Sequence, residues 1–195
     1  MKNKNMKAII IASVLLTANA ALSAETPKNW FAAGSHPKDY EMSVDRKVTH
    51  DGKASAQLKS VAPKPSGFGT LMQTFNADSF RGQRVRMSGY VRAADIADWS
   101  GLWMRVDGAR GEALGFDNMQ KRPIKGTSDW AKYEIVLDVP DEAKEIAFGL
   151  LLSGKGQAWM DDLNFETVGK DVPTTGSGSS KKDKAKGPAN LNFEE

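Results

Sequence analysis

One short segment of the chain, GLWMRVDG, combines an aromatic ring with a cationic side chain at a spacing that could bind a sugar. Trp103 and Arg105 are two residues apart, so on a β-strand their side chains rise from the same face, about 6–7 Å apart. The C–H faces of a sugar stack on an indole ring, and a guanidinium donates to hydroxyls or to a carboxylate. The alternative is that a loop covers Trp103 and that Arg105 pairs with an acid such as Asp117.

A polar cluster and a further tryptophan extend this candidate site. The cluster directly follows the apolar run ALGF, and the tryptophan follows GTSD. Short acids and amides also form turns, which is the alternative interpretation of the cluster. The predicted ligand-binding residues are Trp103, Arg105, Asp117, Asn118, Gln120, Arg122 and Trp130.

The sequence offers little for catalysis. It has two histidines, His36 and His50, both in predicted loops, and no cysteine. Asp161 and Asp162 are adjacent on a predicted strand, so they point to opposite faces and cannot flank one bond as a glycosidase pair. We therefore predict that the protein is not an enzyme and has no catalytic residue.

The elements that would position these residues are β-strands. Apolar residues alternate with period two in RVRMSGYVRA, GLWMRVDG, AKYEIVLDV and EIAFGLLL, and turn-forming residues separate these runs. In GLWMRVDG, the alternation turns Leu102, Met104 and Val106 toward a core, opposite Trp103 and Arg105. Further strands are predicted at Tyr40–Asp45, Ala54–Ser60, Gly69–Asn76, Ala113–Asn118 and Ala158–Thr167. About nine short strands indicate an all-β antiparallel sandwich or barrel.

Four segments follow one another along the chain: DYEMSVD, DGKASAQLKS, LMQTFNADSFRGQRVRMSGYVRA and GQAWMDDLNFETV. Their order resembles that of the galactose-binding-like jelly-roll domains of the carbohydrate-binding-module type. DYEMSVD and DGKASAQLKS are similar to the first two strands of those domains, and LMQTFNADSFRGQRVRMSGYVRA to a recurring middle piece. GQAWMDDLNFETV is similar to their last strand. The stretch from GLWMRVDG to YEIVLDVP further resembles an exported subgroup whose ligand is poorly defined. The resemblance covers about residues 30–168 and implies a jelly-roll β-sandwich with a carbohydrate or similar polar ligand.

The same resemblance raises the question of a metal. Several galactose-binding-like domains hold a structural calcium where the first and last strands meet. The candidate ligands here are Asp45, Asp161 and Asp162, of which the resemblance maps the terminal pair Asp161 and Asp162. Calcium needs six to eight oxygen ligands. The alternative is that an aspartate accepts backbone hydrogen bonds and locks the strand crossing. Calcium is the one cofactor that the sequence suggests.

The two ends of the chain differ in composition from the middle. Residues 1–24 have a basic start, a short apolar run and small residues before Ala24, the pattern of a cleaved signal peptide. Its three lysines would leave with it, so the net charge of +3 falls to about zero and does not indicate nucleic-acid binding. Residues 169–195 are rich in Gly, Ser and Lys and are predicted to be a disordered tail. The folded domain is therefore expected over residues 25–168.

These observations predict a periplasmic or secreted, non-catalytic domain without a stable membrane anchor, which binds a carbohydrate on its exposed sheet face. A structural or protein-interaction domain of the cell envelope, with the tail as a docking element for a protein partner, is the first alternative. An enzyme of unrecognised type is the second.

Overall fold

A computed structural model describes residues 26–178, which form an antiparallel β-sandwich. It has ten strands and two short 3₁₀ turns, at Pro37–Asp39 and Ala77–Phe80. The strands are β1 Phe31–Gly34, β2 Tyr40–Asp45, β3 Ser55–Ser60, β4 Phe68–Asn76, β5 Arg84–Asp107, β6 Ala113–Asp117, β7 Ile124–Asp138, β8 Glu145–Ser153, β9 Gln157–Val168 and β10 Ser177–Gly178. The predicted all-β sandwich is confirmed.

Strand β5 joins the two halves of the sandwich. Its first half, from Arg84 to Ala94, lies between β7 and β9, and β3 and β2 continue that layer. Its second half, from Trp99 to Asp107, lies between β8 and β6, and the layer continues through β4 and β1 on one side and β10 on the other. We call the first layer the back sheet and the second the front sheet.

The core lies between the two sheets and follows the predicted alternation. Met87 and Val91 of the back sheet meet Leu102 and Met104 of the front sheet in one apolar cluster, and all four are fully buried. Burial of this apolar surface is the main term that favours folding. Within residues 26–178, no helix has the length and apolarity needed to cross a lipid bilayer.

Two strand predictions need correction. RVRMSGYVRA and GLWMRVDG are not separate strands, because the intervening residues 94–100 continue the hydrogen-bonding ladder. The register shifts repeatedly along this stretch, and Asp95 has a φ of 54°, so the chain bends from one sheet into the other without leaving β5. Strand β1 was not predicted; it pairs with β4 along the edge of the front sheet.

The folded domain also extends beyond the predicted boundary at Val168. The carbonyls of Lys170 and Val172 accept hydrogen bonds from Arg84, and the backbone N–H of Thr175 donates to the carbonyl of Val136. Strand β10 then pairs with β6. The start of the predicted tail is therefore part of the sandwich. The predicted signal peptide and the remainder of the tail lie outside the described residues.

Candidate ligand-binding groove

The outer face of the front sheet contains a groove of about 470 Å³. The central strands β4, β8 and β5 form its floor, because every second side chain on them points away from the core. Strands β1 and β6 form its two sides. The lining residues are Ala33, Gly34, Ser35, Phe68, Thr70, Met72, Trp103, Arg105, Phe116 and Leu151.

Trp103 forms part of the groove floor rather than an exposed platform. The predicted face is correct, since Trp103 packs with Ala147 and Leu151 in a second apolar cluster outside the main core. The side chain is nevertheless buried, with 7% of the residue exposed. Its Nε1 donates a hydrogen bond of 2.7 Å to Oγ1 of Thr70, which donates in turn to the carbonyl of Leu150. The ring is therefore held in one orientation.

A glycine next to Trp103 shapes the floor. Gly149 is the cross-strand partner of Trp103 and pairs with Met72 on its other side. A Cβ atom at Gly149 would collide with the backbone carbonyl of Leu71, so this position accepts no side chain without a shift of β4.

Arg105 lies on the groove face and is fixed by Asp107, two residues along the same strand. Its Nε donates to both carboxylate oxygens of Asp107, at 2.8 and 3.0 Å, and its Nη2 donates to Oδ2 at 2.9 Å. The expected alternative partner, Asp117, is not used. Among the described residues, Nη1 of Arg105 donates no hydrogen bond, and Arg105 is one of the residues that line the groove.

Asp117 is a buried structural residue. Its carboxylate accepts hydrogen bonds from both Nη atoms of Arg122, at 3.1 and 2.7 Å, from the backbone N–H of Met119 at 2.8 Å and from the Thr175 hydroxyl at 2.6 Å. These contacts join the turn after β6 to the segment after β9. Asp117 therefore shapes the site while only 7% of the residue is exposed.

The remaining polar residues of the predicted cluster line a depression of about 480 Å³ beside the groove. Asn118 is half-buried and accepts a hydrogen bond from the backbone N–H of Gln120, as expected of a turn-forming residue. Gln120 and Arg122 are exposed. Phe116 lines both the groove and this depression, so the two hollows adjoin across its ring.

Trp130 does not belong to this surface. It lies on β7 in the back sheet, where its ring meets the imidazole of His50 edge-on at 5.6 Å, and His50 in turn stacks on Tyr90 at 3.7 Å. The structure thus brings together six of the seven predicted ligand-binding residues, in two adjoining hollows, and separates the seventh.

The three aspartates of the predicted calcium site are engaged by protein donors. Both carboxylate oxygens of Asp45 accept hydrogen bonds, from the backbone N–H groups of Lys47 and Val48 and from the side chains of Gln57 and Trp159. Burial opposes ionisation of Asp45, but these donors outweigh it and lower its pKa.

Asp161 and Asp162 hold the loop before β3. Asp161 accepts from the backbone N–H of His50 at 3.0 Å, and Asp162 lies 2.6 Å from Nδ1 of the same histidine. No group of three His, Cys, Asp or Glu residues suited to a metal occurs within residues 26–178. Each of the three carboxylates thus already accepts or approaches a protein donor, and calcium binding stays a prediction.

Sequence reasoning missed the apolar part of the groove. Phe68 and Met72 are half-buried, and Phe116 and Phe31 are among the exposed large apolar residues of the described part of the chain. The signal was present in β4, because the buried Gly69 and Leu71 alternate with Phe68, Thr70 and Met72 on the opposite face.

Comparisons with known proteins give one close sequence relative. No protein family model matches the chain. The chain is 46% identical, over 169 residues, to the uncharacterized HTH-type transcriptional regulator YbfP of Bacillus subtilis. The match covers 86% of this chain and 57% of that protein, so the chain spans little more than half the length of this relative.

Solved structures share the fold. The CBM22-1 xylan-binding domain of Paenibacillus barcinonensis Xyn10C superposes with a TM-score of 0.55 at 15% identity, over 74% of this chain and 88% of that chain. The C-terminal family 22 carbohydrate-binding module of Clostridium thermocellum Xyn10B gives a TM-score of 0.53 at 14% identity, over 76% and 91% of the two chains. The fold of this domain is therefore that of jelly-roll carbohydrate-binding modules, as the sequence resemblance implied.

The sequence relative corrects one prediction. Proteins of the HTH transcriptional regulator class act on DNA in the cytoplasm, so the match to YbfP contradicts the predicted periplasmic or secreted location. That prediction depended on the basic and apolar pattern of residues 1–24, a composition that does not by itself establish export.

Proposed function

We propose that this domain is a non-catalytic carbohydrate-binding domain and that its ligand lies in the groove of the front sheet. The observation that carries the proposal is the composition of this groove. An apolar floor containing Trp103, Met72 and Leu151 lies beside Arg105.

The groove combines the two kinds of contact that a sugar needs. The ring of Phe116 and the side chain of Phe68 offer apolar surface for C–H faces, as aromatic side chains in sugar sites do. Ser35 and Arg105 offer polar groups at the edge of this surface. Apolar walls with a few placed polar groups are typical of small-molecule sites. The shared fold with xylan-binding domains supports the same assignment.

A glycan array on the purified chain tests the proposal, with titration calorimetry on any saccharide it reveals. Phe116→Ala is the informative variant, because this side chain is 36% exposed and its loss removes a stacking surface without opening the core. We expect at least tenfold weaker binding, the equivalent of roughly 1.4 kcal/mol.

Val61→Ala is the control, since Val61 is also an exposed apolar residue, with 50% of its surface exposed, but lies outside the groove. Equal binding by the wild type and Phe116→Ala would remove the groove from the proposal. Absence of any glycan binding would favour a structural or protein-interaction domain.

The 46% sequence identity to YbfP favours a second, compatible role. In this role the domain binds its ligand in the groove and acts as the sensor of a transcriptional regulator. A chimaera in which this chain replaces the matching region of YbfP tests it in a reporter strain. Reporter output that responds to the array ligand, and loses the response with Phe116→Ala, would support sensing. A ligand-independent output would contradict it.

A further inference from the structure

Two arginines near Phe116 share an uncommon arrangement. In each pair the carboxylate is buried and the guanidinium is exposed: the side chain of Asp107 is 7% exposed against 44% for Arg105, and that of Asp117 is 6% against 38% for Arg122. The buried carboxylate of each pair holds the arginine side chain in place from the protein side. The charge that reaches solvent is therefore positive in both hollows.

The hydrogen-bond partners show that neither carboxylate is available to a ligand. Asp107 is occupied by Nε and Nη2 of Arg105, and Asp117 by Arg122, Met119 and Thr175. Within residues 26–178, Asp117 is the one acidic residue that lines the groove or the adjoining depression. Lys121 adds an exposed cation in the depression.

Building on the carbohydrate-binding function proposed above, we propose that the ligand is an acidic saccharide, a chain of hexuronic acid units whose carboxylates meet Arg105 and the Arg122–Lys121 edge. Charge-assisted hydrogen bonds are roughly twice as strong as neutral ones, so a carboxylate gains more from these donors than a hydroxyl does. Arg105 lines the groove and Arg122 lines the adjoining depression, with Phe116 common to both, so the two arginines do not share one hollow. Their separation suits charges repeated along a chain better than a single phosphate group.

The test compares two linear trisaccharides of equal length, trigalacturonic acid and neutral galactotriose, by titration calorimetry at low and at high salt. We expect the acidic trisaccharide to bind about tenfold more tightly at low salt. This preference should shrink as salt rises, because both cationic edges are solvent-exposed. Equal or tighter binding of galactotriose would overturn this inference and leave the carbohydrate-binding proposal intact. Binding of neither sugar, together with a blank array, would overturn both.

Variants identify the groups responsible. The double substitution Arg105→Gln with Asp107→Asn replaces the ion pair by a neutral hydrogen-bonded pair, so no buried charge is left alone. We expect the ratio of the two affinities to fall toward one. Lys121→Gln, at an exposed position, should lower the ratio about twofold without affecting folding. Lys132→Gln on the back sheet is the control and should leave the ratio unchanged. If neither the Arg105/Asp107 double substitution nor Lys121→Gln lowers the ratio of the two affinities, the assignment of these cations to the binding of an acidic saccharide is overturned.

Discussion

The two outer faces of the sandwich differ in which partner of their arginine–carboxylate pairs is the more exposed. On the back sheet, the arginine pairs leave the acid as the more exposed partner: the side chains of Arg86, Glu134 and Glu166 are 26%, 40% and 46% exposed. Arg84 and Asp138 follow the same order. In the groove and its adjoining depression, the order is reversed, and the acids beneath Arg105 and Arg122 are buried. The back face therefore neutralises itself in solvent, whereas the groove presents a cation.

The difference between the two faces shows that a single strand, β5, can contribute both to a charged outer surface and to a groove. β5 contributes Arg84 and Arg86 to the back face and Trp103 and Arg105 to the groove. On the back sheet, cross-strand neighbours carry opposite charges, which contribute little beyond solubility. On the front sheet, the neighbours of Trp103 and Arg105 on β8 are Gly149 and Ala147, whose small size leaves room for a ligand.

The largest effect is expected beneath the groove, at Met104, which is fully buried in the core. Met104→Asp buries an unpaired carboxylate and should lower the free energy of unfolding by more than about 4 kcal/mol. Circular dichroism and denaturant titration of the purified variant measure this. A folded, stable Met104→Asp protein would invert the assignment of groove and core faces.

Trp103 is expected to show the next largest effect, because its ring is buried and its Nε1 is bonded to Thr70. Trp103→Ala should cost about 3 kcal/mol through the cavity it leaves. Trp103→Phe keeps most of the packing and loses the hydrogen bond, so it should cost about 1 kcal/mol. Denaturant titration separates the two. Costs below about 0.5 kcal/mol for both would mean that Trp103 is a surface residue like those of the back face.

The ion pair of Asp138 on the back face should make the stability of the protein depend on pH. The pKa of Asp138 is lowered from 3.8 to about 2. The main cause is a hydrogen bond from Arg84, and a second one from Lys170 acts in the same direction, whereas partial burial acts against both. Because the folded protein favours the ionised form, this stabilisation is present above pH 4 and is lost progressively as the pH falls from about 4 through 2. The side chain is 40% exposed, so solvent screening limits the effect to about 1 kcal/mol.

Denaturant titrations of wild type and Asp138→Asn across this pH range measure the contribution. The wild type should be the more stable protein at neutral pH, and the difference should shrink below pH 4 and vanish only below pH 2. A constant difference at all pH values would show that the contact does not depend on the charge of Asp138.

Glu166 should give the smallest effect. It pairs with Arg86 at 3.0 Å on an exposed part of the back face, where Glu134 also contacts Arg86. Glu166→Gln should change stability by no more than about 0.5 kcal/mol and leave saccharide binding unchanged. Calorimetry that shows weaker binding in this variant would mean that the two faces are coupled.

The strands could be predicted because alternation is a local property. β2 is predicted residue for residue, and β3, β4, β6 and β9 to within a residue at each end. The joined strand β5 could not be predicted, since its middle, ADIADW, loses the alternation where the chain changes sheet. The segment after Val168 was missed because its order depends on Arg84 and Val136, which are distant in sequence.

The face of the site could be predicted from local alternation, whereas the partners of its residues could not. Alternation alone places Trp103 and Arg105 on the outer face. Their partners were not predictable: Thr70 reaches Trp103 from β4, and the choice of Asp107 over Asp117 for Arg105 depends on the turn after β6. Trp130 was grouped with this face because it lies near it in sequence, but β7 carries it to the back sheet.

The continuity of β5 has a consequence for how the molecule opens. This strand pairs with β7 and β9 in one half and with β6 and β8 in the other, so the two sheets share one continuous strand. We expect the sandwich to unfold as one cooperative unit. Amide hydrogens of β8 and β9 should exchange with solvent only through global unfolding, at a common free energy.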